Sequence, residues 1–123
     1  MKTINALTWF EIPVTNMVRA TQFYDSVLQR SLNKQAFGLQ ELMVFTYEEP
    51  GVGGCLVHDE SYRPSAHGAV VYLPVAEMAA ALKRVTAAGG QVSVGRTDLP
   101  GDMGCYAHVI DTEGNRVGLH AAH

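Results

Sequence analysis

Glu11 is the acidic residue whose neighbours in the sequence most favour a chemical role. It stands between Phe10 and Ile12 in a strand-like apolar run, so we expect its carboxylate to be partly desolvated. A desolvated carboxylate suits a general base or a hydrogen bond to a ligand. The structural alternative is a carboxylate that pairs with Arg116 or satisfies backbone donors.

Two histidines near the end of the chain are further candidates for proton transfer or metal binding. If the turn DTEGN joins two paired strands with Ile110 opposite Arg116, His108 lies on the same face as His120. Diagonal neighbours of this kind are roughly 7 to 8 Å apart at the backbone. Together with Glu11 they would supply one carboxylate and two imidazoles, a donor set that suits a divalent metal ion. Both histidines could equally be hydrogen-bonded or solvated residues of a sheet.

Aromatic residues and one cysteine complete the candidate set. Trp9, Phe45, Tyr72 and Tyr106 could line a pocket for a flat or apolar ligand, with the phenolic hydroxyls orienting it, and packing is the alternative. Cys55 could act as a nucleophile, although the sequence places no base beside it.

An internal repeat organises the elements that must position these residues. The stretch FEIPVTNM at 10–17 returns as VYLPVAEM at 71–78. Each copy is followed by apolar residues at helical spacing and then by three strand-like runs, the last two forming a hairpin. The pattern predicts one domain over 1–123 made of two βαβββ modules, about 1–61 and about 67–123, with a linker at about 58–66. A ferredoxin-like α+β fold accounts less well for the second hairpin of each half.

Composition excludes several classes of partner. The 123 residues carry a net charge of −3 and scattered Lys and Arg, so we expect no nucleic-acid partner. No apolar run approaches the roughly 20 residues that span a bilayer, and we expect no membrane partner. Asn5 and Glu11 interrupt the N-terminal apolar residues where a signal peptide needs an unbroken run, which favours a cytoplasmic protein. Cys55 and Cys105 form no CxxC motif, so neither a disulfide framework nor a cysteine zinc site is indicated.

The repeat and its motifs resemble one superfamily. WFEIPVTNM leading into FYDSVL, and DTEGNRVGLH near the end, are similar to the vicinal-oxygen-chelate superfamily, which includes glyoxalase I, bleomycin-resistance proteins and extradiol dioxygenases. The resemblance covers nearly the whole chain and is nearest to glyoxalase-like members. It implies an α+β fold in which tandem βαβββ modules form a curved, cup-like mixed sheet, with the helices outside and the ligand within.

Strand periodicity then sorts the candidates between the two faces of that sheet. The apolar set Phe10, Ile12 and Val14 suits the helix side, which leaves Trp9 and Glu11 inside the cup. The same reasoning places these residues inward in the rest of the chain: Cys55, Val70, Tyr72, Arg116, Gly118, His120 and, from the hairpin register, His108 and Phe45.

The usual metal site is absent from the positions that the resemblance assigns to it. Metal-using members carry His, Glu or Gln on the first and last strand of each module, and the matching positions here are Trp9, Cys55, Val70 and Gly118. A lone thiol cannot hold a divalent ion, so we expect no cofactor. The alternative is a divalent metal at the shifted set Glu11, His108 and His120.

The leading functional hypothesis is a glyoxalase-like or bleomycin-resistance-like protein that binds a small organic molecule in a cup or dimer cleft. The resemblance implies a homodimer. The alternative is a lyase, isomerase or dioxygenase-type enzyme that uses Glu11 as base or the shifted metal site. A third hypothesis is an interaction module whose sheet face only forms a dimer.

Overall fold

The fold of residues 4–123, described here from a computed structural model, consists of ten elements in two successive sets. Module 1 contains β1 (Trp9–Pro13), α1 (Met17–Leu28), β2 (Asn33–Phe37), β3 (Gln40–Val44) and β4 (Gly53–Val57). Module 2 contains β5 (Tyr72–Pro74), α2 (Met78–Ala87), β6 (Gln91–Asp98), β7 (Cys105–Ile110) and β8 (Arg116–Ala121). The predicted α+β fold of tandem βαβββ modules is confirmed. None of the helices described is long and apolar enough to cross a membrane.

Each module has one four-stranded mixed sheet with the same strand order. The orders are β1-β4-β3-β2 and β5-β8-β7-β6, with the first strand parallel to the last and the other pairs antiparallel. The predicted pairing of Ile110 with Arg116 is confirmed, and it places His108 opposite Gly118. The period of two then puts His108 and His120 on one face.

Local sequence explains where the helices begin. Asn16 caps α1, and its side-chain oxygen accepts a hydrogen bond from the backbone N–H of Arg19 at 3.0 Å. Glu77 caps α2 through the backbone N–H groups of Ala79 and Ala80, a role that the sequence pattern did not predict because glutamate is an unusual N-cap.

The helices and one face of each sheet form a shared core. Its buried members come from both modules and include Ile12, Phe23, Tyr24, Leu56, Leu73, Met78, Val85 and Leu119. The two helices also contact each other. The opposite face of each sheet, which we call its open face, carries no helix. In module 1 this face has its own small apolar cluster of Val44, Cys55 and Val57.

The DTEGN turn of module 2 binds the start of module 1. The Glu113 carboxylate accepts hydrogen bonds from the backbone N–H groups of Thr15 at 2.9 Å and Asn16 at 2.8 Å. It also accepts one from Nε of Arg19 at 2.7 Å. The donors are the N-cap residue, the residue before it and a side chain of the first turn of α1, so one side chain of module 2 binds the N-terminal end of a module 1 helix.

A second set of contacts from the same turn reaches the core. Asp111, which is buried, accepts a hydrogen bond from the hydroxyl of buried Tyr24 at 2.6 Å. The Asn115 side chain donates to the backbone oxygen of Pro13 at 2.7 Å. This turn therefore adds directed polar contacts between the modules to the apolar packing of their shared core.

Candidate functional site

Three aromatic rings meet on the open face of module 2, and we call them the ring cluster: Tyr72, Tyr106 and His108. The ring centroids are 6.1 Å apart for the two tyrosines, 5.5 Å for Tyr72 and His108, and 5.6 Å for Tyr106 and His108. Tyr72 retains 48% of its accessible surface. The three rings thus present an aromatic surface that a flat molecule could cover.

Gly118 explains why the Tyr72 ring lies against the sheet. Tyr72 on β5 is paired with Gly118 on β8, which in turn lies opposite His108 on β7. A Cβ atom at Gly118 would overlap the Tyr72 ring. Module 1 has the same glycine–ring packing, because a Cβ atom at Gly53 would overlap the ring of Tyr47. In each case the missing side chain makes room for an aromatic ring.

Gly118→Ala is expected to move the Tyr72 ring away from the sheet and to lower stability by about 1 to 2 kcal/mol, since the new methyl group overpacks the site. Nuclear Overhauser contacts between the rings of Tyr72 and His108 should weaken in this variant. Gly95→Ala is the matched control, because a Cβ atom at Gly95 meets no other atom. Unchanged Tyr72–His108 contacts in Gly118→Ala would contradict this account of the glycine.

Hydrogen bonds hold His108 within the ring cluster. The Tyr72 hydroxyl lies 2.7 Å from Nε2 of His108. On the other side of the imidazole, a terminal nitrogen of Arg116 lies 3.4 Å from Nδ1. Nε of Arg116 donates to the backbone oxygen of Ala66 at 3.1 Å. The inward orientation predicted for Arg116 thus brings it to Nδ1 of His108, on the side of the imidazole away from the Tyr72 hydroxyl. This contact was not predicted from the sequence.

His120 is on the same face but takes part in a different contact. It pairs with Tyr106 across the β7–β8 ladder. Its Nε2 lies 2.7 Å from the backbone oxygen of Met103, so His120 is attached to the loop before β7 and not to His108.

The donor sets within the chain do not fit a divalent metal ion. At the four positions of the usual site stand an indole, a buried thiol, an isopropyl group and a glycine that lies beneath the ring of Tyr72. In the shifted set, Glu11 lies on the sheet of module 1, whereas His108 and His120 lie on the sheet of module 2. Residues 4–123 contain no group of three His, Cys, Asp or Glu side chains placed to hold a metal ion.

Glu11 lies on the open face of module 1, opposite Cys55 in the β1–β4 pairing. The expectation that its carboxylate is partly desolvated is wrong, because β1 is an edge strand and the side chain is exposed on the uncovered face. It does not pair with Arg116. Its Oε1 accepts a hydrogen bond from the hydroxyl of Tyr62 at 2.8 Å, and burial and this carboxylate raise the pKa of Tyr62. Tyr62 was missed because it lies in the predicted linker, where no strand or helix period assigns a face.

Cys55 is fully buried beneath Glu11. Burial and the nearby Glu11 carboxylate both raise the pKa of the Cys55 thiol. Both effects disfavour the thiolate, which is the nucleophilic form. The arrangement therefore suits a packing role for Cys55 within the apolar cluster of module 1.

The predicted inward orientation of Phe45 is wrong. Phe45 is buried in the shared core, with its ring centroid 5.3 Å from that of Phe10 and 5.4 Å from that of Tyr24. The residue of β3 that faces the open side is Val44, which lies opposite Cys55 as His108 lies opposite Gly118. One more residue separates Val44 from its partner Cys55 than separates His108 from its partner Gly118, and a shift of one residue turns a side chain to the other face.

A cavity with a volume of about 720 Å³ lies elsewhere, between α1 and the β2–β3 hairpin. Its walls include Met17, Val18, Leu39 and Met43. The hydroxyl of Thr21, which also lines it, is buried without a hydrogen-bond partner among the described residues. Every residue of β2 is exposed, and its Lys34, which also lines the cavity, forms an exposed ion pair with Glu41. The cavity has the size of a ligand site, but the ring cluster has the better fixed polar groups.

Two tandem βαβββ modules, each with one sheet face packed against the helices and one open face, define the class of fold. The sequence matches the Glyoxalase/Bleomycin resistance protein/Dioxygenase superfamily over residues 6–119, and the chain therefore belongs to this superfamily. No curated protein matches it significantly.

Solved structures share the fold at low sequence identity. TnmS3, an antibiotic-binding protein from Streptomyces sp., is 21% identical over 98% of both chains with a TM-score of 0.72. A glyoxalase I variant from Zea mays is 18% identical with a TM-score of 0.71, and the match covers 94% of this chain but 46% of the maize chain. This chain therefore spans about half the length of the maize enzyme. The fosfomycin resistance protein FosX from Listeria monocytogenes is 15% identical over 97% of this chain and 94% of its own, with a TM-score of 0.66.

Proposed function

We propose that this protein binds a small planar organic molecule against the ring cluster, without the divalent metal ion used by many members of its superfamily. The observation that carries the proposal is that Tyr72, Tyr106 and His108 form an accessible aromatic surface in which hydrogen bonds fix Tyr72 and His108. Small-molecule sites typically combine apolar or aromatic walls with a few fixed polar groups.

The character of the relatives supports a binding role. TnmS3 is an antibiotic-binding protein and FosX is a fosfomycin resistance protein, and both share the fold over nearly their whole length. We infer that this chain likewise accommodates a small organic compound. The ring cluster, which has no charged carboxylate among its members, favours an aromatic and uncharged one.

The metal-free part of the proposal is supported by the donor chemistry. Position 118 has no side chain, and the space above it is filled by the Tyr72 ring. Both ring nitrogens of His108 are within hydrogen-bond distance of Tyr72 and Arg116. A ligand in this position would meet aromatic carbon and hydrogen-bonding groups in place of a Lewis acid.

A second copy of the chain is proposed to close the site. The open faces expose large apolar residues, with Trp9 at 37% and Tyr72 at 48% accessibility, while the opposite faces are already used in the shared core. Contiguous exposed aromatic surface is typical of interaction sites. A homodimer would place one open face over another and shield a ligand between them.

A role for Glu11 as general base receives less support. The carboxylate is exposed, and Oε1 already accepts a hydrogen bond from Tyr62. It also lies on the module 1 face and not within the ring cluster.

Binding of 9-fluorenone, a planar tricyclic molecule, tests the proposal. Equilibrium dialysis in the presence of EDTA should show saturable binding to the wild type, because the ring cluster requires no metal. Tyr106→Leu should weaken it about fivefold to tenfold, since the variant loses the aromatic contact.

Phe37→Leu is the control for that experiment, because Phe37 is an exposed aromatic residue of β2, outside the ring cluster. It should bind fluorenone as tightly as the wild type does. Absence of saturable binding to the wild type, binding that EDTA abolishes, or equal affinity of Tyr106→Leu and the wild type would each contradict the proposal.

A further inference from the structure

We infer that Tyr72 is a dedicated hydrogen-bond donor to the ligand, set in that role by a chain of hydrogen bonds from Arg116 through His108. The ligand would therefore carry a carbonyl-type acceptor, such as a ketone, ester or amide, on its planar ring system. This inference rests on the proposed function, because it specifies the chemistry of a molecule bound at the ring cluster.

Arg116 fixes the donor-to-acceptor direction of this series of hydrogen bonds. A guanidinium has only donors, so Nδ1 of His108, which lies 3.4 Å from Arg116, must be the acceptor in that contact. The Arg116 side chain is held in place because its Nε donates to the backbone oxygen of Ala66 at 3.1 Å. A second contact, 3.4 Å long, joins the same terminal nitrogen to the hydroxyl of Ser93.

The tautomer of His108 in turn determines which atom donates in its hydrogen bond with Tyr72. A neutral imidazole whose Nδ1 accepts carries its hydrogen on Nε2. Nε2 lies 2.7 Å from the Tyr72 hydroxyl oxygen, so the imidazole donates and the phenolic oxygen accepts. The Tyr72 hydroxyl hydrogen is then left without an acceptor among the described residues, although its ring is half-exposed on the open face.

The unpaired hydroxyl hydrogen of Tyr72 determines which ligands bind favourably. In the unliganded protein it can bond to water, but a planar molecule lying over the cluster excludes that water. A ligand with a carbonyl oxygen replaces the lost bond, whereas its hydrocarbon analogue leaves a buried donor unpaired. Sites built to hydrogen-bond a ligand discriminate strongly against analogues that lack the polar group. Arg116 and His108 act through Tyr72 and are positioning residues.

The test compares 9-fluorenone with fluorene, two planar tricyclic molecules that differ by one carbonyl oxygen. Equilibrium dialysis should give at least about tenfold tighter binding of fluorenone to the wild type. Tyr72→Phe, which keeps the ring and removes the hydroxyl, should abolish the preference for fluorenone. Fluorenone loses its hydrogen bond, whereas fluorene no longer buries an unpaired donor and should bind at least as tightly as it does to the wild type.

The tautomer of His108 gives a readout that needs no ligand. Long-range ¹H–¹⁵N correlation spectra of the wild type should show the His108 hydrogen on Nε2. Arg116→Met should shift the population toward Nδ1 and reduce the preference for fluorenone, while Arg96→Met, which removes an exposed arginine of β6, should change neither.

The possible outcomes separate this inference from the proposed function. Equal affinity of the wild type for the two probes would overturn the donor role and leave the binding function intact. A preference for fluorenone that survives in Tyr72→Phe, or a wild-type His108 with its hydrogen on Nδ1, would also overturn it. Failure of fluorenone to bind at all would overturn the proposed function and this inference with it.

Discussion

Replacing Asp111 with alanine is expected to lower the free energy of unfolding by about 3 kcal/mol. The buried Asp111 carboxylate accepts four hydrogen bonds. Its partners are the Tyr24 hydroxyl at 2.6 Å, the backbone N–H groups of Glu113 at 2.8 Å and Asn115 at 2.9 Å, and the Asn115 side chain at 3.2 Å. Alanine would leave these donors without their acceptor in a buried setting, and the Tyr24 hydroxyl would be stranded in the shared core.

Urea unfolding followed by circular dichroism measures this effect as a lower midpoint. Asp98→Ala removes the same charge from an exposed ion pair with Arg96, and it should change stability by less than about 0.5 kcal/mol. If the alanine variant of Asp111 is too unstable to purify, Asp111→Asn keeps the side-chain volume and should give an intermediate loss. Equal stability of the Asp111 and Asp98 variants would contradict the assigned role of the turn.

Acidification is expected to remove a stabilising contribution of about 3 kcal/mol that originates at Glu113. Desolvation opposes ionisation of this carboxylate. Hydrogen bonds from Arg19, the Asn16 backbone, Thr112 and Thr15 outweigh it and lower the pKa of Glu113 from 4.5 to about 2. Because the pKa is lower in the folded state, the contribution is fully present above pH 4.5 and is lost as the pH falls from 4.5 toward 2.

The measurement is the urea midpoint as a function of pH in the wild type and in Glu113→Gln. The glutamine variant should be less stable at neutral pH and should lose less stability on acidification, so the two curves converge as the pH falls. Glu41→Gln, which alters an exposed ion pair with Lys34, should keep the wild-type slope. Parallel curves for the wild type and Glu113→Gln would show that the Glu113 contacts do not stabilise the folded state.

The sequence was sufficient to predict the modules and the β7–β8 register for a physical reason. The repeated strand and helix patterns each report on a local period, and the DTEGN turn fixes which residues pair across a short connection. His108 was therefore assigned to the open face correctly. The connection between β3 and β4 is longer, and one additional residue between the paired positions Val44 and Cys55 reversed the face assigned to Phe45.

Other parts of the site depend on tertiary contacts, which the spacing of apolar residues within a single strand or helix does not reveal. The exposure of Glu11 follows from the place of β1 at the edge of its sheet, and strand order is not encoded in the strand itself. Tyr62 reaches Glu11 from the segment between the modules. The contact of Arg116 with His108 could be anticipated only in part, because alternation gives the face of a side chain but not the atom that it touches.

The contacts that Asp111, Glu113 and Asn115 of the DTEGN turn make with module 1 also affect which parts of the sequence can change during evolution. The turn bonds to module 1 directly, and the two modules also share one core, so these contacts between the modules do not run through the connecting segment. Insertions and deletions in the exposed part of the connecting segment are therefore expected to leave the relative positions of the two open faces unchanged. The side chains on the two open faces can therefore differ in type. Module 1 has an apolar cluster on this face, whereas module 2 has the ring cluster.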